Sequence, residues 1–133
     1  MSLARQSLIH DVGHGQLDEG RIKGYFIGMA ILDDIKRKIA TRQYEYSKHA
    51  VDQAIMRGIS VAELEEALLN RSAVIEDYPE DKYGPTCLIL GFTVAGRPLH
   101  VQCSYPSRPL IKIITVYEPD QDIWMDFRIR KTD

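Results

Sequence analysis

The chain has 133 residues, 44% of them hydrophobic and 27% charged, and a formal net charge of −2. That length suits one domain with its own core, and no apolar run approaches the roughly 20 residues that would span a bilayer. The slight acidity argues against a chain that is basic all over and holds nucleic acid indiscriminately.

Two cysteines, Cys87 and Cys103, are too few for a disulfide framework and do not form a metal-binding doublet. Without an export signal at the N-terminus, a cytoplasmic protein with reduced thiols is expected. The charge is unevenly spread: residues 63–82 carry a net −5, residues 35–49 a net +4, and residues 86–117 contain no acid and carry +3.

Residues 1–28 contain five glycines and no sustained period, and read as a weakly ordered N-terminal extension, native or added, ahead of a single domain over 29–133. Within it, "LIHDVGH" (8–14) resembles the histidine–aspartate doublet of the HD-superfamily phosphohydrolases. That fold needs an earlier histidine and a later aspartate across a long helical domain. His10 and His14 alone do not complete a zinc ligand set, so neither metal nor cofactor is expected.

From Met29 the pattern sharpens. Ile31, Leu32, Ile35 and Ile39 predict an amphipathic helix over 29–41. Ser47 is an N-cap for a second helix over 48–57, which Gly58 stops in the left-handed conformation. Ser60 and Glu63 form a capping box that opens a third helix to about Asn70, with Val61, Leu64, Ala67 and Leu68 on its buried side. Strands follow at 73–78, 86–94, 99–105 and 110–117, with "AGRP" as a hairpin turn. Residues 123–129 supply an edge strand or lie across the sheet. Helices first and an antiparallel meander after them predict an α+β domain.

The second helix carries the first candidate site residues. At about 100° per residue, His49, Gln53 and Arg57 form a stripe beside an apolar face of Ala50, Val51, Ala54 and Ile55. Histidine exchanges protons near neutrality and arginine holds phosphate with two hydrogen bonds; a plain solvated stripe is the competing account.

In "LHVQCSY", alternation sets Leu99, Val101 and Cys103 on a core face and His100, Gln102 and Ser104 on the other. His100 is therefore a second candidate, or a hydrogen-bonded sheet residue. In "LIKIITVY", Ile111, Ile113, Thr115 and Tyr117 should share one face, and Lys112, Ile114 and Val116 the other. Register then decides which of Lys112 and Tyr117 reaches a site. Tyr78, Tyr83 and Tyr105 lie in or near loops, where they could stack on bases, and Trp124 more commonly plugs a core edge.

Over about 44–130, "YSKHAVDQAIMRGIS", "VIEDYPEDKYGP", "CLILGFTVAGRPLHVQCSY", "IKIITVYEP" and Trp124 resemble domain of unknown function 4258. That family is grouped with RelE-like and BrnT-like toxins, small domains with helices packed on a twisted antiparallel sheet of three to five strands. The resemblance implies a metal-independent endoribonuclease that acts on RNA and is restrained by an antitoxin protein. It places His49, Arg57 and His100 in the site. In ribonuclease chemistry His49 and His100 would be the acid–base pair, in unassigned order, Arg57 and Lys112 would stabilise the charge on phosphorus, and Tyr117 would be a positioning group. Such toxins are usually basic, and this chain is not. A non-catalytic protein-interaction or nucleic-acid-binding module on the same scaffold is the alternative. Self-association is left open.

Overall fold

The computed structural model describes residues 19–82 and 84–132, with side chains from Gly28 onward. The motif at His10 and His14 and the residue Tyr83 lie outside the described residues. Helix α1 spans Glu19–Ala40, strand β1 Tyr44–Tyr46, α2 Lys48–Arg57 and α3 Val61–Leu69. Strands β2 (Arg71–Tyr78), β3 (Thr86–Phe92), β4 (Pro98–Ser104) and β5 (Ile111–Tyr117) follow, then a two-stranded ribbon of β6 (Trp124–Met125) and β7 (Ile129–Arg130). The α+β class is as expected.

Local chemistry sets the helix ends. Ser47 Oγ accepts from the Ala50 N–H at 3.0 Å, and Gly58 closes α2 at φ 63° with Ile59 N–H donating to the Ala54 carbonyl. Ser60 and Glu63 make both bonds of the capping box. Helix α1 begins ten residues before the expected start; three glycines over 20–28 masked the helix formers between them, since glycine weakens a helix without forbidding it.

The sheet order is β1-β5-β4-β3-β2. It is mixed, not wholly antiparallel: β1, three residues without a readable pattern, pairs parallel to β5. Helices cover one face. Between them and the sheet lies the dry core, which includes Ile35, Ile39, Leu64, Leu68, Ile89, Leu99, Val101, Cys103, Ile111, Ile113 and Val116. Helix α3 rests so closely on β3 that a Cβ at Gly91 would stand 2.1 Å from the Ala67 carbonyl oxygen.

Three apolar residues expected to be buried are exposed: Val51, Ile55 and Val61. Helix α2 does not lie flat on the sheet. It caps the open edge of β5 beyond the end of β1: Ser47 Oγ donates to the Ile114 carbonyl, and Gln53 Oε1 accepts the Val116 N–H, each at 3.0 Å. The inward side of α2 is thus Ala50, Gln53 and Ala54, which leaves Val51 and Ile55 outside.

A bulge in β5 also changes its faces. Gln102 pairs with Thr115 but Cys103 with Ile113, so Ile114 is the extra residue. Ile111, Ile113 and Val116 therefore all point to the core, and Lys112, Thr115 and Tyr117 fall on the far side. Strict alternation across the strand had separated Lys112 from Tyr117.

Candidate functional site

The face turned away from the helices carries the polar chemistry. Across β3 and β4 it reads Thr86 opposite Ser104, Leu88 opposite Gln102 and Leu90 opposite His100. Its two ends differ.

At the Ser104 end lies an open cavity of about 760 Å³. His49, Lys82, Arg108 and Lys112 line it, with Ser47, Ser104, Gly84 and Ile114 completing the wall. Among the described residues no carboxylate contributes to that lining. His49 is exposed in the first turn of α2, where backbone N–H groups and the positive end of the helix dipole favour anions. Buried Ser104 accepts the Lys112 N–H at 2.9 Å, which fixes the start of β5 beside the cavity. Lys38 Nζ donates to the carbonyls of Arg108 and Pro109 and holds the turn that carries Arg108.

Between this cavity and the middle of the face stands a polar triad. Asp81 Oδ2 accepts from Thr86 Oγ1 at 2.9 Å and from Gln102 Nε2 at 3.4 Å, and Gln102 Nε2 also reaches Thr86 Oγ1 at 3.2 Å. A second open cavity, about 480 Å³, lies beside it, lined by Tyr78, Pro79, Glu80, Asp81 and Gln102.

The His100 end is closed. The segment after β5 folds back over it, so His100 is 0% exposed and Trp124 3%. The Phe127 carbonyl lies 2.6 Å from His100 Nε2 and Tyr117 Oη 3.1 Å from Nδ1. A carbonyl only accepts, so Nε2 carries the hydrogen and Tyr117 donates to Nδ1: the imidazole is neutral with one tautomer fixed. Burial depresses the His100 pKa below histidine's ordinary value, against an opposing contribution from the Phe127 carbonyl. Burial raises that of Tyr117. Trp124 meets the His100 ring edge-on at 4.5 Å between centroids, and Arg130 stacks on the other ring of that pair, Trp124, at 4.5 Å. Burial would raise the Glu76 carboxyl, but bonds from Arg130 and Tyr78 bring it below its usual value.

The expected site residues are therefore divided. His49 and Lys112 share the basic cavity; His100 and Tyr117 bond to each other beneath the C-terminal segment. Gln102 lies between them on β4. His100 and Ser104 are four residues apart on that strand, about 13 Å. Arg57, exposed at the far end of α2, is eight residues or about 12 Å along the helix from His49 and does not line the cavity.

Arg97, not singled out in the sequence, joins four elements. It donates to Glu63, to Glu118 at 2.8 Å, and to the carbonyls of Arg57 and Gly58 at the end of α2. Its bond to Glu118 raises its pKa, while the Ser60 N–H and then Arg97 lower that of Glu63. The arginine of the hairpin turn "AGRP" gave no sign of this, because its partners come from distant segments. Tyr78 and Tyr105 donate to Glu76 and Asp77. Cys87 and Cys103 are buried opposite each other, and their mutual bond together with burial raises the Cys103 thiol pKa.

Among the described residues no group of three or more His, Cys, Asp or Glu is placed to hold a metal ion, and no helix is long and apolar enough to cross a membrane. Residues 46–118 match the sequence profile of a family described as domain of unknown function (DUF4258). The match takes in α2 through β5 and ends before Trp124, so the segment that seals His100 lies outside it. No curated protein matches the chain, and no solved structure does.

Proposed function

The chain belongs to the DUF4258 family, and from the site it carries we propose a metal-independent, toxin-type endoribonuclease of the cytoplasm that holds an RNA phosphate in the basic cavity. One observation carries this reading: in an acidic chain, His49, Lys82, Arg108 and Lys112 converge on one cavity with no carboxylate among its described lining residues. Anions are drawn to such a concentration of cations, and a low-dielectric wall strengthens the pull.

The chemistry follows from the same residues. His49, as general base, removes the proton from a 2′-hydroxyl, whose oxygen attacks the neighbouring phosphorus. The bond to the 5′-oxygen breaks, and water or the Lys112 ammonium returns a proton to that leaving group. Lys112 and Arg108 offset the charge that builds on the phosphoryl oxygens. General base catalysis of this kind contributes about 10²–10⁴-fold. His100 takes no part, because its ring nitrogens are committed within the sheet. Tyr117 supports His100. Arg57 is too distant from His49 to touch the same phosphate. An antitoxin protein would cover the exposed apolar side chains Val51, Ile55 and Met56 of α2.

The test is cleavage of a single-stranded RNA by the purified chain with excess chelator. Cleavage that survives chelation and is lost in His49→Ala, with the far-ultraviolet circular dichroism spectrum unchanged, is the expected result. Intact RNA with the wild-type chain would overturn the enzymatic reading. The non-catalytic nucleic-acid-binding alternative is favoured by one feature, that among the described residues a single imidazole lines the cavity. Salt-sensitive RNA binding without cleavage would establish it.

A further inference from the structure

We propose that the second cavity, beside the Asp81–Thr86–Gln102 triad, is a nucleobase subsite that selects guanine. This rests on the phosphate-binding reading of the neighbouring basic cavity. The two cavities adjoin through consecutive residues of the β2–β3 loop, Asp81 and Lys82, and through alternate residues of β4, Gln102 and Ser104. Alternate residues share a sheet face about 7 Å apart, a separation that one nucleotide bridges from phosphate to base.

Their chemistry is opposite. The first is cationic; the second is lined by two acids, Glu80 and Asp81, with no cation among its described lining residues. Repulsion by these carboxylates keeps phosphate out of the second cavity, so a bound nucleotide has one favoured orientation.

The hydrogen-bond inventory then selects the base. Asp81 Oδ2 and Gln102 Nε2 are used within the triad. Among the described residues Asp81 Oδ1 and Gln102 Oε1 take no further partner, which leaves two acceptor oxygens on residues that line the cavity. Guanine alone among the four bases presents two adjacent N–H donors, N1–H and the N2 amino group, on its Watson–Crick edge, a match for one acceptor from Asp81 and one from Gln102. Adenine and cytosine offer one amino group beside an acceptor nitrogen, which a carboxylate repels, and uracil offers a single N–H between two carbonyls. Tyr78 supplies aromatic surface at the cavity wall. Thr86 is fully buried and ties Asp81 to the sheet, so the carboxylate is held in place before a ligand arrives.

The experiment is calorimetric titration of the full chain with the four nucleoside 3′,5′-bisphosphates, which lets either phosphate enter the basic cavity and requires no cleavage. Guanosine bisphosphate is expected to bind about tenfold tighter than the other three, the discrimination typical of one good paired contact. Asp81→Asn, whose amide oxygen still accepts from Thr86, should bring the four affinities together. Gln102→Ala, which leaves the Asp81–Thr86 bond in place, should narrow the gap and serves if the first variant unfolds. Lys112→Ala should weaken all four alike.

Equal affinities in the wild type, a preference for another base, or a guanosine preference that survives both variants would overturn the subsite while leaving the phosphate cavity standing. Binding of none would remove the phosphate cavity and the subsite with it. A guanosine preference in a chain that leaves RNA intact would keep the subsite and remove the nuclease.

Discussion

The two ends of the far sheet face hold one imidazole each, and the same side chain is put to opposite uses. His49 stands in the first turn of a helix, exposed at the wall of an open basic cavity. His100 lies at 0% exposure, with one nitrogen donating to a carbonyl and the other accepting from a phenol. A histidine is useful for proton transfer only if its proton can change hands with a ligand. The contrast teaches that residue type and the correct face are insufficient: what covers the face decides, and here the cover is the segment from Trp124 to Arg130.

Two substitutions sharpen that contrast by giving opposite signatures. The largest effect is expected for His49→Ala, which should lower RNA cleavage by about 10²–10⁴-fold while urea unfolding shifts by less than about 0.5 kcal/mol, as for other exposed positions. His100→Ala should do the reverse. It removes a packed ring and leaves the Tyr117 hydroxyl and the Phe127 carbonyl without partners, a loss of about 2–4 kcal/mol by denaturant titration. If His100→Ala instead abolished cleavage with stability intact, the two ends would not be separate. Lys112→Ala comes next. RNA affinity should fall severalfold, and the slope of log affinity against log salt should shrink by about 1, the signature of one lost phosphate contact.

The sequence revealed the helices best, because their signals are local. Ser47, Gly58 and the Ser60–Glu63 box each act within four residues, and α2 and α3 fall where those caps put them. The paired strands were also legible from their composition and turns. What escaped depended on contacts between distant segments. Gln53 satisfying the backbone of β5 reoriented α2 and exposed Val51 and Ile55. The bulge at Ile114 brought Lys112 and Tyr117 onto one face, and no local residue announces a bulge there. His49 was singled out by its place on a helical stripe and by the family resemblance, and Lys112 by its place on a strand. Lys82, Arg108 and Ser104, which complete the cavity, come from two loops and a strand end whose meeting no periodicity encodes. The clamp by Arg97 was invisible for the same reason.

The smallest expected effect is a pH dependence of stability that comes from the sealed imidazole and is read without an activity assay. Burial holds the folded-state pKa of His100 below its ordinary value of 6.5. Above about pH 6.5 both folded and unfolded chains carry this ring neutral, and it adds no slope to stability. As pH falls through that value the unfolded chain binds a proton that the folded chain refuses, because burial disfavours the charged ring. Proton uptake by the unfolded state then favours unfolding, and stability declines until the folded-state value is also passed. The carboxyl of Glu76, held low by Arg130, loses its contribution only below the ordinary carboxylate range, so the two windows are distinct. Urea titrations between pH 5 and 8 should therefore show stability decreasing toward acid in the wild type. In His100→Ala the decline should become shallower, although that variant is weaker throughout. A slope that persists unchanged without His100 would mean that the sealed ring is not its source.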